Sequence, residues 1–173
     1  MLGLDANAAA MAESSSRAAR AAAKGGLPNL VFAVAAAERP PAELCGRVDE
    51  VSILFPWGSL LRGVLALDPA AAEGIASLLA PEGRVRALVS LTERDARTAG
   101  LVPAELRDRE AIATRWRTLG VELVDLRPPT DGEIAASGST WAKRLLANGT
   151  GRDREVWALE ARRNPSRAMR MGE

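Results

Sequence analysis

Apolar positions along this chain change period several times, and each change predicts an element. Met1 to Asp5 reads as a very short strand ending in an acid. Ala6 to about Lys24 is rich in helix formers, with Ala and Met11 on the apolar side, and predicts a helix. Leu30 to Ala35 is the next strand, and Ala42 to Gly46 a short helix. Asp49 to Leu54 is a strand whose part from Val51 is short, apolar and β-branched, the pattern of a buried strand. Leu60, Leu61, Val64 and Leu65 return to helical spacing. A further helix starts at Asp68-Pro69, runs through Leu78-Leu79 and ends near Gly83. Arg84 to Leu91 is a strand, Thr92 to Val102 a polar linker, and Pro103 to about Leu119 a helix stopped by Gly120. Val121 to Leu126 is a strand closed by Pro128-Pro129. Thr130 to Ser137 is a short helix capped by Thr130 or Asp131, and Ser139 to Leu146 a second helix or tight loop. Asn148 to Gly151 turns the chain into a last strand, Arg154 to Arg162, antiparallel to its predecessor. The organised domain spans 1–163; 164–173 is a basic, frayed tail.

Strands alternating with helices predict an α/β fold with a mostly parallel sheet and an antiparallel last strand. Within it, Val51 to Leu61 forms strand, Pro-Trp-Gly turn, helix. Pro56 removes a backbone donor and stops the strand, and Gly58 lets the chain turn. Open α/β sheets bind ligands beyond the carboxyl ends of their strands. Trp57 therefore stands where a substrate would sit; the plainer alternative is that it plugs the end of the core. Asp5, at another strand tip, suits ribose hydroxyls or, alternatively, a helix cap. Arg17, Arg20 and Lys24 are spaced to share one helix face.

Composition narrows the chemistry. In 173 residues there is no His, and Cys45 is the single cysteine. That removes disulfide frameworks, Cys-based metal sites, the common catalytic triads and most zinc sites, so no metal is expected. Net charge is only +1, so nucleic-acid binding would need a local basic patch. No apolar run approaches membrane-spanning length and no secretory leader is seen, which makes a cytoplasmic monomer the expectation.

Phe55-Pro56-Trp57-Gly58-Ser59-Leu60-Leu61 and Ser139-Thr140-Trp141-Ala142-Lys143-Arg144-Leu145 resemble the two signature stretches of the aminoglycoside-resistance 16S rRNA (adenine(1408)-N(1))-methyltransferases. Gly3-Leu4-Asp5-Ala6 resembles that family's second strand and its acidic tip. The likeness runs from Leu2 to about Arg163. It implies a Rossmann-like class I methyltransferase sheet and S-adenosylmethionine as cofactor. It also implies methylation of adenine N1 in the decoding site of the small ribosomal subunit. It assigns Asp5 to the ribose, Ala37 and Glu38 to the vicinity of the adenine, and Leu54, Pro56, Ser59 and Ser139 to further cofactor contacts. Arg17, Arg20, Lys24, Lys143, Arg144 and Arg152 become a phosphate-binding surface around the pocket mouth.

The family's glycine-rich loop and first strand and helix should precede Leu2, and the chain does not show them. Gly25-Gly26 follow a helix and lead into a strand, the wrong order for that turn. Two expectations follow: weak cofactor binding by the polypeptide as written, and no pairing between Leu2–Asp5 and Val51–Leu54, which the first strand would separate. The alternative function is a truncated, inactive relative with residual RNA binding. For an active enzyme, the target base must leave its stack at a cost of a few kcal/mol. Aromatic stacking returns roughly 1–3 kcal/mol per base. Trp57 and Trp141 are the expected catalytic pair, one on each face of the flipped base in a shared cleft. Trp116 and Trp157, with core-like spacing, are weaker choices.

Overall fold

The computed structural model describes residues 1–92, 108–148 and 154–165. Among these described residues, six strands fall into two sheets. β1 (Leu2–Asp5) and β2 (Val31–Val34) form a parallel pair in which Asp5 lies opposite Val34. β3 (Val48–Leu54), β4 (Leu79–Thr92), β5 (Val121–Arg127) and β6 (Arg154–Arg163) form the second sheet in the order β3-β4-β6-β5. β3 runs parallel to β4, and β6 is antiparallel to both its neighbours. The expected mixed sheet with an antiparallel last strand is present. β1 and β3 belong to different sheets, as their expected lack of pairing requires.

Side-chain alternation on the second sheet divides its two faces. Val51 and Ile53 of β3, Val85, Ala87, Val89 and Leu91 of β4, and Leu159 and Ala161 of β6 enter the main core. That core is closed by α2 (Gly58–Val64), α3 (Pro69–Leu78) and α4 (Arg109–Thr118), with Leu61, Val64, Ile75, Ile112 and Trp116 at its centre. On β5 the alternation breaks where the register shifts between Leu123 and Asp125. The bulge returns Leu126 to the core beside Val121 and Leu123. The opposite face carries a smaller cluster of Phe55, Leu88, Ile134, Ala142, Leu145 and Val156, roofed by α5 (Asp131–Ala136) and α6 (Thr140–Asn148).

Several boundaries differ from the periodicity. The predicted Ala6–Lys24 helix is α1 (Ala8–Ala18) followed by a separate 3₁₀ turn, Ala22–Lys24. The helix stops because the Leu27 amide returns to the Ala18 carbonyl and Gly26 packs against the Arg20 carbonyl. Arg20 and Lys24 therefore do not continue the helix face that holds Arg17. β3, read as a buried strand, is only half-buried, because Glu50, Ser52 and Leu54 point away from the main core. The helix expected to reach Gly83 ends at Leu78, and β4 begins at once. Its first residues bulge, since Val48 pairs Leu79 but Glu50 pairs Arg84. The Thr92–Val102 linker beyond Thr92, the first turns of the Pro103 helix and the Gly149–Gly151 turn lie outside the described residues. So does the tail after Pro165.

Candidate active site

Several predicted site residues sit at the carboxyl ends of the parallel strands, Asp5 at that of β1 and the Phe55–Ser59 stretch just after β3. At the tip of β1, an Asp5 carboxylate oxygen accepts the Asn7 amide at 2.7 Å. Asn7, not Asp5, caps α1 by accepting from the Ala9 and Ala10 amides. Asp5 is exposed, and its other oxygen has no partner among the described residues. The Asp5 carbonyl accepts the Ala35 amide at 3.0 Å, which draws the chain after β2 to the same end. Ala37 and Glu38 follow and are half-buried. Ala37 is fixed from below: a Cβ at Gly74 of α3 would lie 1.7 Å from the Ala37 carbonyl oxygen. The helix can approach this loop only because residue 74 has no side chain.

At the end of β3 the backbone is strained. Phe55 has φ of 52°, uncommon for a bulky side chain, and Gly58 has φ of 59°. The Phe55 amide donates to the Leu88 carbonyl at 2.7 Å, and its ring is buried in the smaller cluster. Pro56 is buried, and Trp57 is thrown outward with 54% of its surface exposed. Trp57 occupies the N-cap position of α2 and makes no side-chain capping bond there. The ring therefore does not plug the core. Strain of this kind persists where the surroundings over-determine it, here through the anchored Phe55 ring. Ser59 is exposed in the first turn of α2.

Ser139 starts α6: its hydroxyl oxygen accepts the Ala142 amide at 3.1 Å. Trp141 lies in the first turn and packs against the cluster containing Phe55. The two signature stretches are thus joined through one apolar cluster although 86 positions separate Phe55 from Trp141 in the sequence. Arg154, at the start of β6, places its guanidinium carbon 5.2 Å from the Trp141 ring centre. Lys143 and Arg144 are exposed on α6; Arg17, Arg20 and Lys24 are exposed around the end of α1, with Arg17 paired to Glu13. Arg152 lies outside the described residues. Trp116 and Trp157 are structural: the Trp116 indole is fully buried and donates to the Val64 carbonyl at 3.1 Å, and the Trp157 indole donates to Glu155 at 3.2 Å.

A cleft of about 380 Å³ crosses the outer face of the second sheet. Among the described residues it is lined by charged side chains, including Glu50, Arg86, Asp125, Arg127, Glu133 and Glu160, with Leu54 at its rim. Leu54 is the predicted site residue found in its walls; neither Trp57 nor Trp141 is among the described residues that line it. In this cleft Arg127 grips Glu133 at 2.6 and 2.9 Å, while Glu133 closes a capping box with Thr130. Hydrogen bonds from Arg127, then from the Thr130 amide and hydroxyl, hold the Glu133 carboxyl down at about 2, below the ordinary 4.5. The ionised form is favoured by folding, so its stabilisation is complete above pH 4.5 and is lost as pH falls towards 2. Glu133→Gln is expected to flatten the loss of stability across that window, measured as the denaturation midpoint against pH.

A family model described as NpmA, 16S rRNA (adenine(1408)-N(1))-methyltransferase, matches residues 1–163. The chain belongs to this methyltransferase family. It is 37% identical over 172 residues to the 16S rRNA (adenine(1408)-N(1))-methyltransferase of Streptoalloteichus hindustanus, covering 95% of this chain and 77% of that protein. Identity to the enzyme of the same description from Streptoalloteichus tenebrarius is 38%, with the same coverage of each. The crystal structure of 16S rRNA methyltransferase KamB superposes with a TM-score of 0.73 at 36% identity, over 95% of this chain and 76% of that one. A variant of the Catenulisporales acidiphilia 16S rRNA (adenine(1408)-N(1))-methyltransferase, crystallised with cosubstrate SAM, gives 0.71 at 33% identity. That match covers 94% of this chain and 74% of that one. The Rossmann-like methyltransferase fold follows from these matches. Two features escaped the periodic reading of this family member: the left-handed Phe55 and the link from Ser90 to Arg154. Neither carries a local sequence signal, since the first is imposed by packing and the second joins residues 64 positions apart.

Proposed function

We propose that this protein transfers a methyl group from S-adenosylmethionine to the N1 atom of adenine(1408) in 16S rRNA, and so gives aminoglycoside resistance. The observation that carries this reading is Trp57, exposed on a strained strap at a parallel strand end, with the Trp141 helix packed on the same strap through Phe55. Family membership supplies the reaction class. The partner is the small ribosomal subunit, approached by a cytoplasmic monomer through Lys143 and Arg144, with Arg17, Arg20 and Lys24 adding basic charge. Phosphate contacts of this kind orient the protein without reading sequence. Among the described residues, no helix is long and apolar enough to cross a membrane.

Asp5 fits the cofactor's ribose, because its second carboxylate oxygen, without a partner among the described residues, sits at an exposed strand tip where hydroxyl donors can reach it. Ala37 and Glu38 lie at that same end, and Leu54, Pro56, Ser59 and Ser139 surround the strand end on the Trp57 side. When bound, the cofactor supplies a methyl group on a sulfonium, whose carbon–sulfur bond breaks with its electron pair left on sulfur. Adenine N1 attacks with its free lone pair, so no residue has to remove a proton first. Trp57 and Trp141 stack on the flipped base and hold N1 in line. Positioning of this kind is worth effective molarities of about 10⁵ M or more. A chain with no histidine suits such a mechanism.

The second reading is an inactive relative that keeps RNA binding. It is favoured by one observation, the division of β1 and β3 between separate sheets, which leaves the two strands without pairing to each other. Primer extension on rRNA from small subunits incubated with this protein and S-adenosylmethionine decides between the two. A cofactor-dependent stop beside adenine(1408) supports methyl transfer. Subunit binding without a stop, together with no calorimetric S-adenosylmethionine signal, supports the inactive relative.

A further inference from the structure

Ser90 stands apart in the interior. Among the described residues it is the one polar side chain in the buried class, with 4% of its surface exposed. It lies on β4 in the row of Arg86 and Leu88, facing the smaller cluster rather than the main core. A buried hydroxyl needs a partner, and Arg154 provides it: a guanidinium nitrogen donates to the Ser90 hydroxyl oxygen at 3.0 Å. Strand register explains how they meet. Ser90 is opposite Val156 and Arg154 opposite Thr92, so Arg154 reaches diagonally across the β4–β6 ladder. The same guanidinium lies over Trp141, within the range of a cation–π contact.

We propose that Ser90, acting through Arg154, is a positioning residue that sets the plane of the Trp141 ring and leaves the ring's opposite face for the target base. This rests on the reading of Trp141 as a stacking platform. Trp141 is half-buried and packs against the Phe55 cluster, so one part of the indole is held by the cluster and another part by Arg154. A guanidinium is planar and presents its donors in a rigid fork. Pinning one nitrogen to the buried Ser90 hydroxyl therefore restricts where the plane can lie, and the indole follows it. A base can then approach Trp141 only from the side away from Arg154. Ser90 touches neither base nor cofactor in this scheme; it acts entirely through Arg154.

Fluorine NMR of the full chain labelled with fluorotryptophan tests this directly, because its four tryptophans give few signals and Trp141→Phe identifies the relevant one. Ser90→Ala is expected to move or broaden the Trp141 signal while leaving that of buried Trp116 in place. Ser90→Thr, which keeps the hydroxyl, is expected to restore it. Arg154→Met should reproduce the Ser90→Ala shift, and serves if the alanine variant folds poorly. An unmoved Trp141 signal in both Ser90→Ala and Arg154→Met overturns the proposal. So does a shift shared equally by all four tryptophans, the mark of a general structural effect. In parallel, Ser90→Ala should slow methyl transfer to small subunits about tenfold without changing cofactor affinity, as expected for a base held slightly out of line. A moved signal with an unchanged transfer rate would uphold the Ser90–Arg154–Trp141 linkage and reject Trp141 as the platform. Absence of transfer in the unsubstituted chain would instead reject the methyltransferase reading, while the NMR result still decides the linkage.

Discussion

Trp57→Ala is expected to reduce methyl transfer to small ribosomal subunits by about ten- to a hundredfold while leaving the thermal midpoint nearly unchanged. The argument begins with exposure. An indole that is 54% exposed and makes no side-chain hydrogen bond among the described residues contributes little to folding, so its removal opens no cavity. What is lost is a stacking face for the flipped base, worth roughly 1–3 kcal/mol. A free-energy loss of 1.4 kcal/mol is about tenfold in rate, which sets the expected range. Trp57→Phe keeps a smaller aromatic face and should retain part of the activity. Cofactor affinity, measured by calorimetry, should be the same in all three proteins. A fully active Trp57→Ala would remove the base-stacking role from this strap. Loss of cofactor binding would move Trp57 from the base to the cofactor.

Trp116→Ala has the opposite profile, with a stability loss of about 3–5 kcal/mol. The ring is fully buried beside Leu61, Val64 and Ile112 in the main core. Its removal leaves a cavity between α2, α4 and the sheet. It also leaves the Val64 carbonyl, at the last residue of α2, without the indole donor. A loss of that size is a large part of the 5–15 kcal/mol that typically stabilises a domain. The urea midpoint should fall steeply, and activity should disappear with the fold rather than ahead of it. Trp116→Phe, which fills most of the volume without the N–H donor, should lie between. If Trp116→Ala unfolds near the parent midpoint, the main core does not depend on this ring.

These two tryptophans also mark the limit of reading the chain alone. Helical spacing around Trp116 already indicated a core residue, and the Pro56-Trp57-Gly58 turn already placed an indole at a strand end. Both signals are local: a period of 3.6, and a proline and a glycine that stop one element and turn the chain. Most strands were legible for the same reason, since alternation and turn residues act within a few positions. The motif likeness added the chemistry, because the stretches around Trp57 and Trp141 are specific enough to name a family. Local reading failed where distant backbone intervened. The helix after Asp5 was predicted too long because nothing within it reveals that Leu27 folds back onto Ala18. The shared face of Arg17, Arg20 and Lys24 disappeared with it. The β3 strand was read as a buried strand, yet only its Val51 and Ile53 side meets the main core.

By itself, then, the chain determined the order of its elements, the acidic strand tip at Asp5, the Pro-Trp-Gly turn and the chemistry its family carries. Tertiary structure decided the rest. It forced Phe55 into a left-handed conformation, turned the Trp57 ring outward rather than into the core, and folded Leu27 back onto Ala18. It also joined Ser90, Arg154 and Trp141 across the β4–β6 ladder. The physical reason is range. Propensity and periodicity act over one or two turns of chain. The direction of a ring, or the partner of a buried hydroxyl, is set by atoms that meet only when the sheet has closed.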